Sequence, residues 1–68
     1  MARRILYSHH ARQRMILRGI SEREVREAIR KGTKRTQGAK IVASYTYFEV
    51  VYVVRGEDIF VITVQFRW

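Results

Sequence analysis

The sequence predicts an α+β protein: two short helices followed by a three-stranded antiparallel meander. Three observations carry that expectation. Apolar residues recur at three- and four-residue steps up to Lys31 and at alternate positions from Ile41 onward. Gly19 and Gly32 stand where each predicted helix runs out. At 68 residues, with no proline-rich linker and no repeat, the chain has room for one domain, 1–68, around one small core.

The first helix is expected at about 8–18. Ser8 can cap it, Ala11 and Met15 give it an apolar strip, and Gly19 can adopt the left-handed conformation that ends it. The second is expected at about 21–31. Ser21 and Glu24 fit a capping box, with Ile20 and Val25 as the bracketing staple. Val25, Ala28 and Ile29 form its apolar face, while Glu22–Arg26 and Glu27–Lys31 are favourable four-residue pairs on its wet side. Thr33 to Lys40 is polar and basic and reads as a loop with at most a frayed strand. Strands are then expected at about 39–47, 48–55 and 59–67, with Arg55-Gly56-Glu57-Asp58 as a turn. The turn near Tyr45–Phe48 has no glycine to fix its position, and Arg3–Tyr7 has the character of a short extra strand.

The net charge is +8, and it is unevenly placed. Residues 1–40 hold twelve Lys/Arg against three acids, and residues 41–68 hold two against three. The basic half favours polyanions, nucleic acid or an acidic protein, over a neutral metabolite. There is no cysteine, which fits a reducing, cytoplasmic setting and rules out a disulfide framework or thiolate metal site. No run has the length of a membrane span. Adjacent His9 and His10 point about 100° apart on a helix, so no metal site and no cofactor is expected.

His10, Arg14 and Arg18 are the residues with chemistry. Their four-residue steps align them on one helix face. Metal-independent RNA cleavage needs a group that moves protons near neutrality and cations that stabilise the phosphorane. Histidine supplies the first and arginine's planar fork the second. His10 and Arg14 are therefore the catalytic candidates. Arg12, Arg18, Lys34, Arg35 and Lys40 are candidates for RNA phosphate, and Thr63 for orienting a neighbour. A purely structural reading accounts for the same strip. In it His10 bonds to backbone or Thr63, Arg14 pairs with Glu27, and Arg18 faces the negative helix end. Tyr45, Tyr47 and Trp68 are the aromatic residues best placed for exposure, where bases can stack. Arg18-Gly19-Ile20-Ser21 with Val25 also fits a helix-turn-helix turn. Against that, Glu22 and Glu24 sit at the end meant for DNA, and there is no third helix.

The segment Tyr7–Ile20 and the strand Phe60–Val64 resemble a small prokaryotic family of unknown function, DUF4258. Its pattern runs roughly Ser-x-His-Ala-x-x-Arg-Met-x-x-Arg-Gly-Ile, then a second helix, then a meander ending in Ile-Thr-Val. That pattern falls here on Ser8, His10, Ala11, Arg14, Met15, Arg18, Gly19 and Ile20, with Ile62-Thr63-Val64 at the end. Gln65 stands where many relatives carry a tyrosine. The family is similar to RelE/ParE-like toxins, in which two helices pack on an antiparallel sheet. RelE-like members cleave RNA and ParE-like members act on gyrase.

The resemblance implies a RelE-like toxin of a toxin–antitoxin pair, acting on free or ribosome-bound RNA. It also implies an acidic antitoxin, or one with a disordered arm that wraps the toxin. The leading expectation is thus an RNA-binding toxin with metal-independent acid/base cleavage. The alternative is a non-enzymatic RNA- or protein-binding module on the same fold, and a helix-turn-helix DNA binder ranks third. An exposed edge strand offers a route to a homodimer or to a partner strand.

Overall fold

Backbone pairing, rather than side-chain pattern, sets the outer strands of this protein's sheet. The structure, a computed structural model, describes residues 4–67. Its elements in chain order are β1 (Arg4–Tyr7), α1 (His9–Arg18), α2 (Glu22–Lys31), β2 (Thr33–Gln37), β3 (Lys40–Tyr45), β4 (Phe48–Arg55) and β5 (Asp58–Phe66). The strands form one five-stranded sheet in the order β1-β5-β4-β3-β2. β1 runs parallel to β5, and the other neighbours are antiparallel.

This corrects the expected architecture of two helices on a three-stranded antiparallel meander. The sheet is mixed, has five strands, and begins before the helices. Each added strand hides from sequence patterning for its own reason. All five residues of β2 are exposed, so they carry no apolar alternation. Its order comes from backbone bonds to β3, from Thr33↔Ser44 to Gln37↔Lys40, across a turn where Gly38 has φ 64°. β1 is joined to a strand far away along the chain, Arg4 lying opposite Asp58. No local signal announces such a parallel pairing. The glycine-free β3–β4 turn falls at Thr46–Tyr47, with Thr46 at φ 49°. It is held by Arg67, whose backbone N–H donates to Tyr47 O at 3.1 Å and whose guanidinium donates to Thr46 O at 2.9 Å.

Both helices begin and end where cap chemistry dictates. The Ser8 hydroxyl accepts from the Ala11 N–H at 2.9 Å. At the other end of α1, Gly19 adopts φ 69° and its N–H reaches back to Ile16 O. In α2, Ser21 Oγ accepts from the Glu24 N–H at 3.1 Å, and Glu24 Oε1 accepts from the Ser21 N–H at 2.9 Å. This reciprocal box satisfies two otherwise orphaned donors. Ala11 and Met15 of α1 and Val25 and Ala28 of α2 bury against Ala43, Phe48, Val50, Val61 and Val64 of the sheet. Phe48 is the largest side chain sealed in that layer. Each such large apolar side chain contributes about 1.5–3 kcal/mol by leaving water.

A bulge in β5 seats α1. Val51 pairs with Thr63 and Tyr52 with Val61, which skips Ile62. The Ile62 carbonyl accepts the Ser8 hydroxyl at 2.7 Å, and the Val61 carbonyl accepts the Ser8 N–H at 2.9 Å. One serine therefore caps α1 and fixes its first turn to the sheet.

Candidate functional site

Ala11 and Met15 point into the core, and that sets the rotation of α1. The flank carrying His10, Arg14 and Arg18 is left toward solvent: His10 and Arg18 are exposed and Arg14 is half-buried. The Arg18 guanidinium lies 4.4 Å from the centre of the Phe66 ring. Phe66 in turn meets Tyr47, with ring centres 5.7 Å apart. Tyr47 packs edge-on against buried Phe48 at 5.4 Å. Phe66 and Tyr47 nonetheless keep 37% and 42% of their surface in water. The cationic strip of α1 thus ends at two accessible aromatic rings, one already covered by an arginine.

α1 itself contains no acidic residue. Five of the six carboxylates are committed elsewhere, and the sixth, Glu57, lies in the β4–β5 turn. Glu22 pairs with Arg12, Glu27 with Lys31 and Arg30, Glu49 with Arg35, and Asp58 with Arg4, while Glu24 closes the capping box. Among the described residues no carboxylate pairs with His10, Arg14 or Arg18. The structural alternative of an Arg14–Glu27 tie is not formed, because Glu27 is held within its own helix. Glu22, expected to pair with Arg26, instead reaches across the helical hairpin to Arg12.

Arg12 is separate from the strip. Its guanidinium lies 4.2 Å from the centre of the Tyr7 ring while it pairs with Glu22. Burial and then the Glu22 charge push the Tyr7 hydroxyl above its ordinary pKa, against the opposing pull of Arg12 and Arg26.

The remaining predicted phosphate ligands lie apart from α1. Lys34, Arg35 and Lys40 belong to the β2–β3 hairpin, whereas α1 packs chiefly on β5. Three strand spacings separate β5 from β2, roughly 14 Å. Lys34 Nζ donates to Gly32 O at 2.8 Å. Thr63 sits opposite Val51 and next to core-facing Val64, so it lies on the sheet face away from the helices. No hydrogen bond joins it to His10. Trp68 lies outside the described residues.

The hairpin group has a feature that sequence reasoning missed. Glu49 is 8% exposed on the sheet face away from the helices. Its Oε2 accepts from Arg35 Nη1 and from Ser44 Oγ, each at 3.0 Å, and its Oε1 accepts from Gln65 Nε2 at 3.1 Å. The Arg35 hydrogen bond, aided by Gln65 and Ser44, holds the carboxyl below the ordinary glutamate range despite the opposing effect of burial. The lowered pKa means that the stabilisation is complete above the unfolded value of about 4.5 and is lost as pH falls through the folded one. Glu49→Gln is expected to lower stability by about 1 kcal/mol at pH 7, the exposure of Arg35 limiting the effect. The gap between variant and wild-type melting temperatures should shrink as pH falls from 7 through the lowered carboxyl pKa. A gap that stays constant down to the acid transition of the wild type would refute the charge-based account.

Among the described residues no cluster of three or more His, Asp or Glu is arranged to hold a metal ion. No described helix is long and apolar enough to cross a membrane.

The sequence profile described as "Domain of unknown function (DUF4258)" matches residues 7–66. Among solved structures, the fold is similar to a chain in the crystal structure of the RelBE2 toxin–antitoxin complex from Mycobacterium tuberculosis. The TM-score is 0.70 at 16% identity, covering 98% of this chain and 100% of that one. No curated protein matches the sequence. At that identity the likeness is one of fold.

Proposed function

This chain belongs to the DUF4258 family, and we propose that it is a toxin-like member of a toxin–antitoxin pair that binds RNA along α1. The observation that carries this reading is the His10–Arg14–Arg18 flank. It is cationic, it has no acidic partner, and it ends at the exposed Phe66 and Tyr47 rings. Arginine forks suit phosphate oxygens, and an exposed ring such as Tyr47 suits an unpaired base, the Phe66 face being held by Arg18. The Lys34–Lys40 hairpin adds positive field from the far side of the sheet.

His10 is the proton-transfer group of this strip. Its imidazole would take the proton of a ribose 2′-hydroxyl as that oxygen attacks phosphorus. Arg14 and Arg18 would hold the charge that develops on the phosphorane. The 5′-oxygen would leave with a proton from solvent, and the other product would carry a cyclic phosphate.

A second reading, binding without chemistry, draws on a specific observation: His10 is exposed, and no hydrogen bond orients it. The DNA-reader reading has no such support. α2 buries Val25 and Ala28 against the sheet and does not project as a recognition helix.

The test is binding and cleavage of single-stranded RNA in excess chelator. Wild type should bind with strong salt dependence, and Arg14→Ala should weaken binding about tenfold at low salt. His10→Ala should keep binding and lose turnover. Binding by wild type without turnover would select the non-enzymatic module, and no binding at 50 mM salt would remove RNA as the ligand.

A further inference from the structure

The last turn of α1 closes over a column of rings that rises from the core. Phe48, sealed in the core, anchors it. Tyr47 meets Phe48 edge-on, Phe66 meets Tyr47, and the Arg18 guanidinium lies over the Phe66 ring. The column thus runs from a buried ring to an exposed cation. The turn that carries Tyr47 is over-determined. Thr46 sits at φ 49°, a left-handed conformation that a branched residue rarely takes. Arg67 holds both carbonyls at that strain: its backbone N–H donates to Tyr47 O and its guanidinium to Thr46 O. Strain of this kind persists where neighbours enforce it, and it collects at ligand sites.

A guanidinium stacked on a ring has one face occupied and the other turned to water. Its N–H groups lie in its own plane, so its edge stays available to phosphate while the open face suits a flat π-system. Unpaired nucleobases stack on arginine planes as they do on aromatic rings. A base inside a duplex has both faces covered by its neighbours and cannot enter. Arg14 stands one helical turn, about 5.4 Å, from Arg18, comparable with the span from a nucleotide's phosphate to its base. Among the described residues neither arginine has a carboxylate partner to turn it away. Rings packed against Phe48 also have little freedom left to lose when a ligand arrives, which favours binding.

We propose that the Phe66–Arg18 stack, with Tyr47 beside it, is a site for one unpaired nucleobase of single-stranded RNA. The base lies on the open face of the Arg18 guanidinium, and its phosphate lies on Arg14. This site rests on the RNA reading above and deepens it, since Arg18 supplies a plane as well as a charge. Phe66 and Arg67 are positioning residues: one backs the guanidinium, the other holds the Tyr47 turn.

The test uses a short single-stranded 2′-O-methyl oligonucleotide, which lacks the hydroxyl that cleavage needs. It is abasic throughout except for one central 2-aminopurine, a base whose fluorescence falls on stacking. A fully abasic strand of equal charge is the control. On wild type the single base should strengthen binding about tenfold over the control, within the range for one stacked base. Its fluorescence should be quenched. Arg18→Lys keeps the charge and loses the plane. It should bind both strands equally, abolish the quench and keep the salt dependence. Phe66→Leu should weaken the quench, and circular dichroism should show both variants folded. Ordinary single-stranded RNA that binds while the lone base adds nothing would overturn this site and leave the RNA reading standing. So would full quenching by Arg18→Lys. Ordinary RNA that fails to bind wild type at low salt would remove the RNA reading and this site with it.

Discussion

Gly32→Ala is expected to be the most damaging single-methyl change in the protein. Gly32 joins α2 to β2 with ordinary dihedrals, φ −67° and ψ 162°, so its backbone needs no glycine. The constraint is space. A Cβ built there would sit 2.5 Å from Ala28 O and 2.7 Å from Ser44 O, both backbone atoms. Relieving that contact means moving the end of α2 off β3. A loss of about 3 kcal/mol is expected, at the upper end of overpacking penalties. Domains of this size hold only roughly 3–10 kcal/mol in reserve. The melting temperature should fall by roughly 12–24 °C. Gly19→Ala is the informative control. Gly19 has φ 69° but open space around it, so only the left-handed conformation is penalised, at about 1 kcal/mol. Equal losses at the two glycines would refute the steric account.

The largest functional effect is expected from reversing charge on the strip. Arg14→Glu with Arg18→Glu replaces two cations that have no acidic partner by two anions, on a helix that otherwise lacks acids. Affinity for single-stranded RNA should fall about a thousandfold at low salt, and the salt slope should shrink by about 1.4 or more. Glu at position 18 also opposes the helix dipole and removes the stacking on Phe66, so some stability is lost as well, about 1 kcal/mol. Thermal melts would separate the two effects. A folded variant with wild-type RNA affinity would place the RNA site elsewhere, with the Lys34–Lys40 hairpin the next surface to test.

The features legible in the sequence are those written in local chemistry. Ser8, Ser21 and Glu24 are placed as caps, and they cap. Glu27 and Lys31 are spaced to pair, and their charged atoms lie 3.0 Å apart. The arginine strip follows from the helical period. What stayed hidden depends on partners distant in the chain. β2 looks like a loop because neither of its faces is buried. Glu22 meets Arg12 only because the hairpin folds them together. Phe66 reads as core by alternation, yet it lies at the end of its strand, where its neighbours no longer cover it. Glu49 falls on the outward side of β4, where a charge is unremarkable until Arg35, Ser44 and Gln65 are seen to enclose it.

The parallel pairing of β1 with β5 has a consequence for when this protein comes into being. The first strand waits on the last: Arg4 finds Asp58 across 54 residues, and no earlier strand offers β1 a neighbour. On a ribosome, the helical hairpin and the β2–β4 meander can form while β5 is still being added, because their contacts are local. α1 cannot take its seat then, since both carbonyls that anchor Ser8 belong to β5. The strip on α1 therefore acquires its fixed orientation only after the final strand has emerged. Until that moment a nascent chain has the residues of the strip but not their fixed placement against the sheet.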